Sequence, residues 1–139
     1  MLAALRSRGL GGIVFGNLHL ADVQAWFEER TSSAGLAHVE PLWGWPPTEV
    51  VRHFLAAGFR ATVVSVMADR IDARWAGAPF DERFLAMLAS LEDVDLCGER
   101  GEYHTFVHDG PGFPHPIAFA LDAPALIDGY WIRRATVPA

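Results

Sequence analysis

Hydrophobic residues recur with two different periods over the first half of the chain. Some stretches repeat them at the helical spacing, and shorter apolar runs fit strands. The predicted order is helix 2–8, strand 13–15, helix 20–34, strand 38–43, helix 48–57 and strand 59–67. Regular alternation of helix and strand is typical of a parallel α/β sheet. The continuous β-branched run of the last strand further predicts burial on both faces.

The second half changes to shorter and more irregular segments. A helix is predicted at about 81–91, after a charged and glycine-rich loop. Strands are predicted at 103–107, 117–121 and 130–137, with a turn at Asp128-Gly129 before the last of them. This half is therefore expected to be a small mixed lobe with antiparallel strands.

The predicted fold class is α/β. Residues 1–68 are interpreted as the later part of a Rossmann-like parallel sheet, and residues 69–139 as a small mixed α+β lobe. The first lobe supplies only three predicted strands, whereas sheets usually have about four to six. A truncated sheet leaves an unpaired edge, so we expect either a homo-oligomer or a missing N-terminal half.

The composition favours a folded globular protein and argues against several classes of binding protein. The 139 residues are 51% hydrophobic and carry a formal net charge of -6, which supports a packed core and disfavours nucleic-acid or anionic-membrane binding. All 11 basic residues are arginines, so the chain offers no lysine for a Walker-type phosphate site. The single cysteine, Cys97, excludes an intramolecular disulfide. No apolar run reaches the roughly 20 residues of a membrane span, and we expect a soluble, cytoplasmic protein.

The densest group of chemically useful side chains begins at Cys97. Gly98 and Gly101 bracket Glu99 and allow positive φ or the close approach of a ligand to the backbone. Glu99 and Glu102 could together hold a cation, bind ammonium or remove a proton. The alternative is an ordinary glycine-rich turn whose glutamates are solvated.

A metal site is a weaker hypothesis for the same region. Cys97, His104, His108 and His115 fall within 19 residues, but their spacing does not match the short ligand pairs of structural zinc sites. We therefore predict no metal ligands here and expect solvated or hydrogen-bonded histidines.

Gly16 and Asn17 form a second candidate site. They follow the predicted strand 13–15 at its carboxyl end, where α/β sheets place ligands. This position makes them candidate nucleotide-binding residues, although Asn17 suits a helix cap equally well.

The stretch 95–106 carries a resemblance to a known family. It has the sequence Asp-Leu-Cys-Gly-Glu-Arg-Gly-Glu-Tyr-His-Thr-Phe, and Asp109-Gly110-Pro111 follows. This resembles the Cys-Gly-Glu-x-Gly-Glu-aromatic-x-Thr signature of the diphthine–ammonia ligase-like ATP-binding proteins, in the PP-loop ATPase (adenine nucleotide alpha hydrolase-like) group. Weaker marks occur in the family's order: Phe15-Gly16, Pro41-Leu42-Trp43, Gly58-Phe59-Arg60-Ala61 and Trp75-x-Gly77 with Asp81.

The resemblance implies a Rossmann-like lobe that binds ATP with magnesium and a second lobe that presents the acidic signature to substrate. The implied activity is a ligase reaction in which ATP activates a carboxylate and ammonia attacks it, giving an amide, AMP and pyrophosphate. Glu99 and Glu102 are the implied catalytic residues. The implied substrate-binding residues are Gly98, Gly101, Tyr103, His104, Thr105, Asp109 and Gly110.

The sequence departs from the family pattern in two places. The family's Ser-Gly-Gly-Lys-Asp-Ser phosphate loop has no counterpart in a chain without lysine, and Asn17 stands where the family usually has Asp. We therefore expect the isolated chain to bind ATP poorly. The alternatives are a non-catalytic binding module or one subunit of a split PP-loop enzyme. The arginine-only, alanine-rich composition suggests a GC-rich bacterial genome, and bacteria are not expected to make diphthamide. The expected substrate is therefore left as a small-molecule or protein carboxylate, which need not be diphthine.

The resemblance also leads to an expectation about one substitution. In an enzyme completed by its PP-loop half, Glu102→Gln is expected to abolish amide formation. Folding is expected to be nearly unchanged, because a substitution at a surface carboxylate usually alters stability by only about 0.5 kcal/mol or less.

Overall fold

The computed structural model describes residues 2–138. They form two compact units that divide after Pro46. The boundary expected near residue 68 therefore lies inside the second unit. No helix among the described residues is long and apolar enough to cross a membrane.

The first unit alternates helix and strand as predicted. Its elements are α1 (Leu2–Ser7), β1 (Gly12–Val14), α2 (Ala21–Ser33) and β2 (Ala37–Val39). β1 and β2 pair in parallel, with Ile13 opposite His38. The parallel sheet of this unit thus consists of two strands, fewer than the three that were expected.

Helix α2 has an exposed aromatic residue on its apolar face. The helical period places Trp26 on the inner face, but 51% of its surface is exposed. The guanidinium carbon of Arg30 lies over its ring, 3.6 Å from the centroid. Since Arg30 follows Trp26 by one helical turn, this cation–π contact partly covers the ring from the solvent side.

The second unit is a mixed fold around two antiparallel sheets. A four-stranded sheet has the order β4-β3-β7-β6, and β5 pairs with β8. The elements are α3 (Pro47–Ala56), β3 (Arg60–Met67), a short 3-10 helix (Ala73–Trp75), α4 (Glu82–Ala89), β4 (Tyr103–Asp109), β5 (Ala120–Leu121), β6 (Ala125–Ile127), β7 (Tyr130–Ile132) and β8 (Ala135–Thr136).

Strand β3 corrects the expected topology. Its apolar run predicted the third strand of a parallel sheet, but β3 pairs antiparallel with both β4 and β7. The prediction of burial is confirmed, because Val63 and Val66 are 0% exposed. A central antiparallel strand that is covered on both faces has the same continuous apolar pattern as a parallel one. The apolar run of β3 therefore predicted its burial correctly and its direction relative to the neighbouring strands wrongly.

The turn at Asp128-Gly129 is present, but it joins different strands from those expected. Asp128 has φ 48° and Gly129 has φ 84°. Positive φ at both central residues is typical of the two-residue hairpin turn whose twist matches that of its strands. The strand before the turn is β6, which the sequence analysis missed. The strand predicted at 130–137 is divided into β7 and β8.

The core of the second unit centres on α4 and the strands beneath it. Asp81 starts the helix, since its Oδ1 accepts hydrogen bonds from the backbone N–H of Arg83 and Phe84, both at 3.0 Å. Phe84 and Leu88, one turn apart, are 0% and 1% exposed. The ring of Phe84 meets that of Tyr103 edge to face at 5.1 Å. This contact joins the first turn of α4 to the start of β4, and the loop between the two elements carries the signature.

Candidate functional site

Two buried carboxylates shape the loop between α4 and β4. Glu102 is 2% exposed, and its Oε1 accepts a hydrogen bond from the backbone N–H of Asp95 at 2.8 Å. Asp95 is 7% exposed, and its Oδ1 accepts from the N–H of Cys97 at 2.8 Å. Each carboxylate therefore holds a backbone amide of the loop. Glu102 is not the surface carboxylate that the sequence analysis assumed.

Two further side chains tie the same loop to its surroundings. The Tyr103 hydroxyl donates to the carbonyl of Leu96 at 2.5 Å, and the Cys97 thiol donates to the carbonyl of Pro47 at 3.5 Å. Burial, with Asp95 and Glu99 nearby, raises the pKa of Cys97 to about 12. Burial also raises the pKa of Tyr103, with Cys97 as the next cause. At neutral pH the thiol is protonated, so Cys97 is not an activated nucleophile.

The glycines of the signature have the predicted backbone conformation, but a different neighbour from the one expected. Gly98 has φ +68° and Gly101 has φ +87°, a region that other residues rarely adopt. A Cβ on Gly98 would lie 2.9 Å from Cε1 of Tyr103. The close approach at Gly98 is therefore made by the protein's own tyrosine.

The rest of the signature is more open. Glu99 is half-buried, whereas His104 and Thr105 are exposed on β4. Asp109 is the last residue of β4, and its Oδ1 accepts a hydrogen bond from the backbone N–H of Gly110 at 2.9 Å. The structure thus divides the candidate residues into a buried group, with Glu102 and Tyr103, and an accessible group that begins with Glu99.

The backbone of the last candidate, Gly110, also has little free space. Its φ is +145°, and a Cβ there would lie 2.9 Å from the Cα of Phe59. The adjacent Asp109 lies 3.8 Å from Nε of Arg60 through its Oδ2. These contacts join the end of β4 to the start of β3.

Asp95 is the residue that sequence reasoning missed. It begins the stretch 95–106, and its side chain accepts a hydrogen bond from a loop amide as that of Glu102 does. Its position two residues before Cys97 was a usable signal, because an Asp side chain often accepts from the amide two residues later.

The first unit places Gly16 and Asn17 beside a second polar cluster. Asn17 accepts from the N–H of Leu20 at 3.2 Å and donates to its carbonyl at 3.1 Å, so it turns the chain into α2. Its Nδ2 also reaches Oε1 of Glu40 at 3.5 Å. Gln24 donates to the other Glu40 oxygen at 2.7 Å, and His38 Nε2 lies 2.9 Å from Oε1.

This cluster does not fit a magnesium ligand set. The Glu40 side chain is 3% exposed, and both of its oxygens are engaged by neighbouring side chains. An Mg²⁺ ion prefers open carboxylates and keeps several waters. Sequence reasoning missed Glu40, because the strand predicted at 38–43 contained it, whereas β2 ends at Val39.

Comparison with known proteins places the fold and the loop in one family. Residues 46–131 match the family model described as "Diphthamide synthase C-terminal domain". This stretch is more than half of the chain and contains the whole signature. The chain belongs to this family. The match also begins where the second compact unit begins, at Pro46 and Pro47.

A curated relative supports the same family. The diphthine–ammonia ligase of Bos taurus is 32% identical over 79 residues, which is 55% of this chain and 30% of that protein. The aligned part thus spans less than a third of the relative's length. The resemblance seen in the sequence is confirmed at the level of the family.

Proposed function

We propose that this chain is the substrate-side part of an ATP-dependent amide-forming ligase. The reaction would join a carboxylate to ammonia and convert ATP, accompanied by magnesium, into AMP and pyrophosphate. The observation that carries the proposal is the signature loop, in which Asp95 and Glu102 hold the backbone while Glu99 remains partly accessible. The family match and the named activity of the bovine relative support it.

Glu99 is the catalytic carboxylate in this proposal. A partly exposed carboxylate can hold ammonium and take a proton from nitrogen as the amine attacks the activated carbonyl. His104 and Thr105, exposed on β4, supply hydrogen bonds to the substrate. Glu102 acts as a positioning residue, because its Oε1 holds the amide of Asp95 and the side chain is too deeply buried to meet a substrate directly.

An ATP-binding half supplied from outside these 139 residues is the second element of the proposal. The sequence has no lysine for a phosphate loop, and the carboxylate at the end of β2 is engaged by Gln24, His38 and Asn17. This second observation also favours the competing function, a non-catalytic module that binds the substrate without turning over ATP.

A purification from the chain's own host tests the two functions. The tagged chain is isolated with its bound partners and assayed for AMP release from ATP, with and without ammonium. A ligase gives ammonium-dependent AMP release, which Glu99→Gln abolishes. The control Glu92→Gln changes an exposed glutamate of the same loop region and retains activity. Absence of AMP release from the wild-type complex favours the binding module, and an active Glu99→Gln complex removes Glu99 from the catalytic role.

A further inference from the structure

A cavity outside the candidate site lies between the 3-10 helix and α4, on residues that precede the signature loop in the chain. Its volume is about 420 Å³, within the range of small-molecule sites. The function proposed above does not use it. Its lining residues are Arg74, Trp75, Ala78, Pro79, Asp81 and Arg83.

The lining of this cavity is positive, although the chain as a whole carries a net charge of -6. Two arginines and one aspartate are among the residues that line it. The carboxylate of Asp81 is held by two helix amides through its Oδ1. Arg83 makes no ion pair with any residue from 2 to 138. An unpaired guanidinium in an acidic protein is an attractive site for an anion.

Within residues 2–138, Arg74 has one ion-pair partner, and the contact is long. Its Nε lies 3.9 Å from Oδ1 of Asp72, and the two side chains are 76% and 62% exposed. Exposed ion pairs of this kind contribute little to the stability of the fold. A bound oxyanion can therefore compete with Asp72 for the guanidinium of Arg74, because a fork of N–H donors matches a phosphate or carboxylate.

The remaining walls are held in place by the fold. The Trp75 ring packs against Phe84, with centroids 5.5 Å apart. The carbonyl of Ala78 accepts from the N–H of Val63 at 2.9 Å, so that wall is bound to β3. Asp72 accepts from the N–H of Arg74 at 2.8 Å and starts the 3-10 helix. A preformed site loses less entropy on binding than a flexible one.

We propose that this cavity binds a small molecule that bears a phosphate or carboxylate. Arg74 and Arg83 hold the oxyanion, and the flat or apolar part of the ligand lies against Trp75. The proposal concerns binding alone and does not depend on the ligase reaction.

Titration calorimetry on the full chain tests it with four probes: AMP, adenosine, inorganic phosphate and benzoate. AMP and benzoate carry both a ring and an oxyanion, and tighter binding of one of them identifies phosphate or carboxylate as the preferred group. Adenosine lacks the charge and is expected to bind at least tenfold more weakly than AMP, since it cannot form the charge-assisted hydrogen bonds that an oxyanion makes to the two arginines.

The variants assign the binding to this cavity. Arg83→Ala and Arg74→Ala are each expected to weaken binding of the better probe about tenfold. Arg134→Ala, a change at an exposed arginine of the same unit, is expected to leave it unchanged. Equal affinity of the Arg83→Ala and Arg134→Ala variants for the better probe would overturn the proposal, and so would the failure of both AMP and benzoate to bind saturably at millimolar concentration. If AMP is the better probe, equal binding of adenosine would overturn it as well.

Discussion

The two units of this chain bury apolar surface to very different extents. Among the described residues of the first unit, Leu18 and Leu36 are the buried hydrophobic ones, whereas the second unit has a continuous core around Phe84. Val14 and Val39, opposite each other in the parallel pair, are 68% and 42% exposed. Parallel strands are normally covered on both faces. Similar helix and strand patterns thus produced a closed core in one unit and an open sheet in the other.

A periodic apolar pattern identifies the residues that are suited to burial. It does not show whether another element covers them. Strand β3 is covered by α3, α4 and its neighbouring strands, since Val51 and Phe84 belong to the same core cluster. Strand β1 has one partner strand among the described residues. The family match spans residues 46–131 and thus covers most of the unit whose core is closed.

The largest expected effect is a core truncation in the second unit. Phe84→Ala removes a ring that is 0% exposed and is expected to lower the free energy of unfolding by about 3 to 5 kcal/mol. Trp26→Ala, at a ring that is 51% exposed, is the matched aromatic change in the first unit. It is expected to cost about 1 kcal/mol or less, mainly through the lost contact with Arg30. Urea unfolding followed by circular dichroism measures both, and similar losses would contradict the contrast between the units.

An intermediate effect is expected at Glu102. Glu102→Ala leaves the buried N–H of Asp95 without its acceptor, which is expected to cost about 1 to 3 kcal/mol. Glu102→Gln keeps an acceptor oxygen and is expected to recover part of that loss. The earlier expectation of about 0.5 kcal/mol or less applied to a surface carboxylate, and the burial of Glu102 removes its premise.

Amide hydrogen exchange separates the cause from a general loss of stability. If Glu102 holds the loop, the Asp95 amide loses its protection in Glu102→Ala while the amides of β3 keep theirs. Unchanged exchange at Asp95 would show that the hydrogen bond is not what orders the loop.

The smallest effect is expected from alkaline pH. The folded chain raises the pKa of Cys97 to about 12 and also raises that of Tyr103. Above about pH 8.5 the unfolded chain begins to lose the thiol proton while the folded chain keeps it. The unfolded state then binds fewer protons, so stability falls as pH rises. The absence of lysine leaves few other groups that titrate in this window.

The measurement is the urea midpoint at pH 7 and pH 10. The midpoint is expected to be lower at pH 10, and Cys97→Ala is expected to reduce the difference by removing the thiol's share. A midpoint that stays constant or rises between these values would show that the two groups are not shielded in the folded chain.

The local sequence pattern was sufficient to predict the bounds of most helices and the position of the signature loop. α2, α3 and α4 lie within about two residues of their predicted bounds, because apolar spacing and end signals such as Asp81 act over one or two turns. The positive φ of Gly98 and Gly101 was likewise local information. The short strands β5, β6 and β8 were missed or misplaced, since two or three residues carry too little periodicity to be recognised.

The sequence by itself determined the family, the positions of the helices and which residues form the loop after α4. Only the tertiary structure decided the direction of β3, the burial of Glu102 and the hydrogen bond that joins Asp95 to Glu102. These features depend on residues that are close in space, such as Tyr103 against Phe84. Strand pairing and side-chain burial are set by such long-range packing, and a local pattern constrains that packing without specifying it.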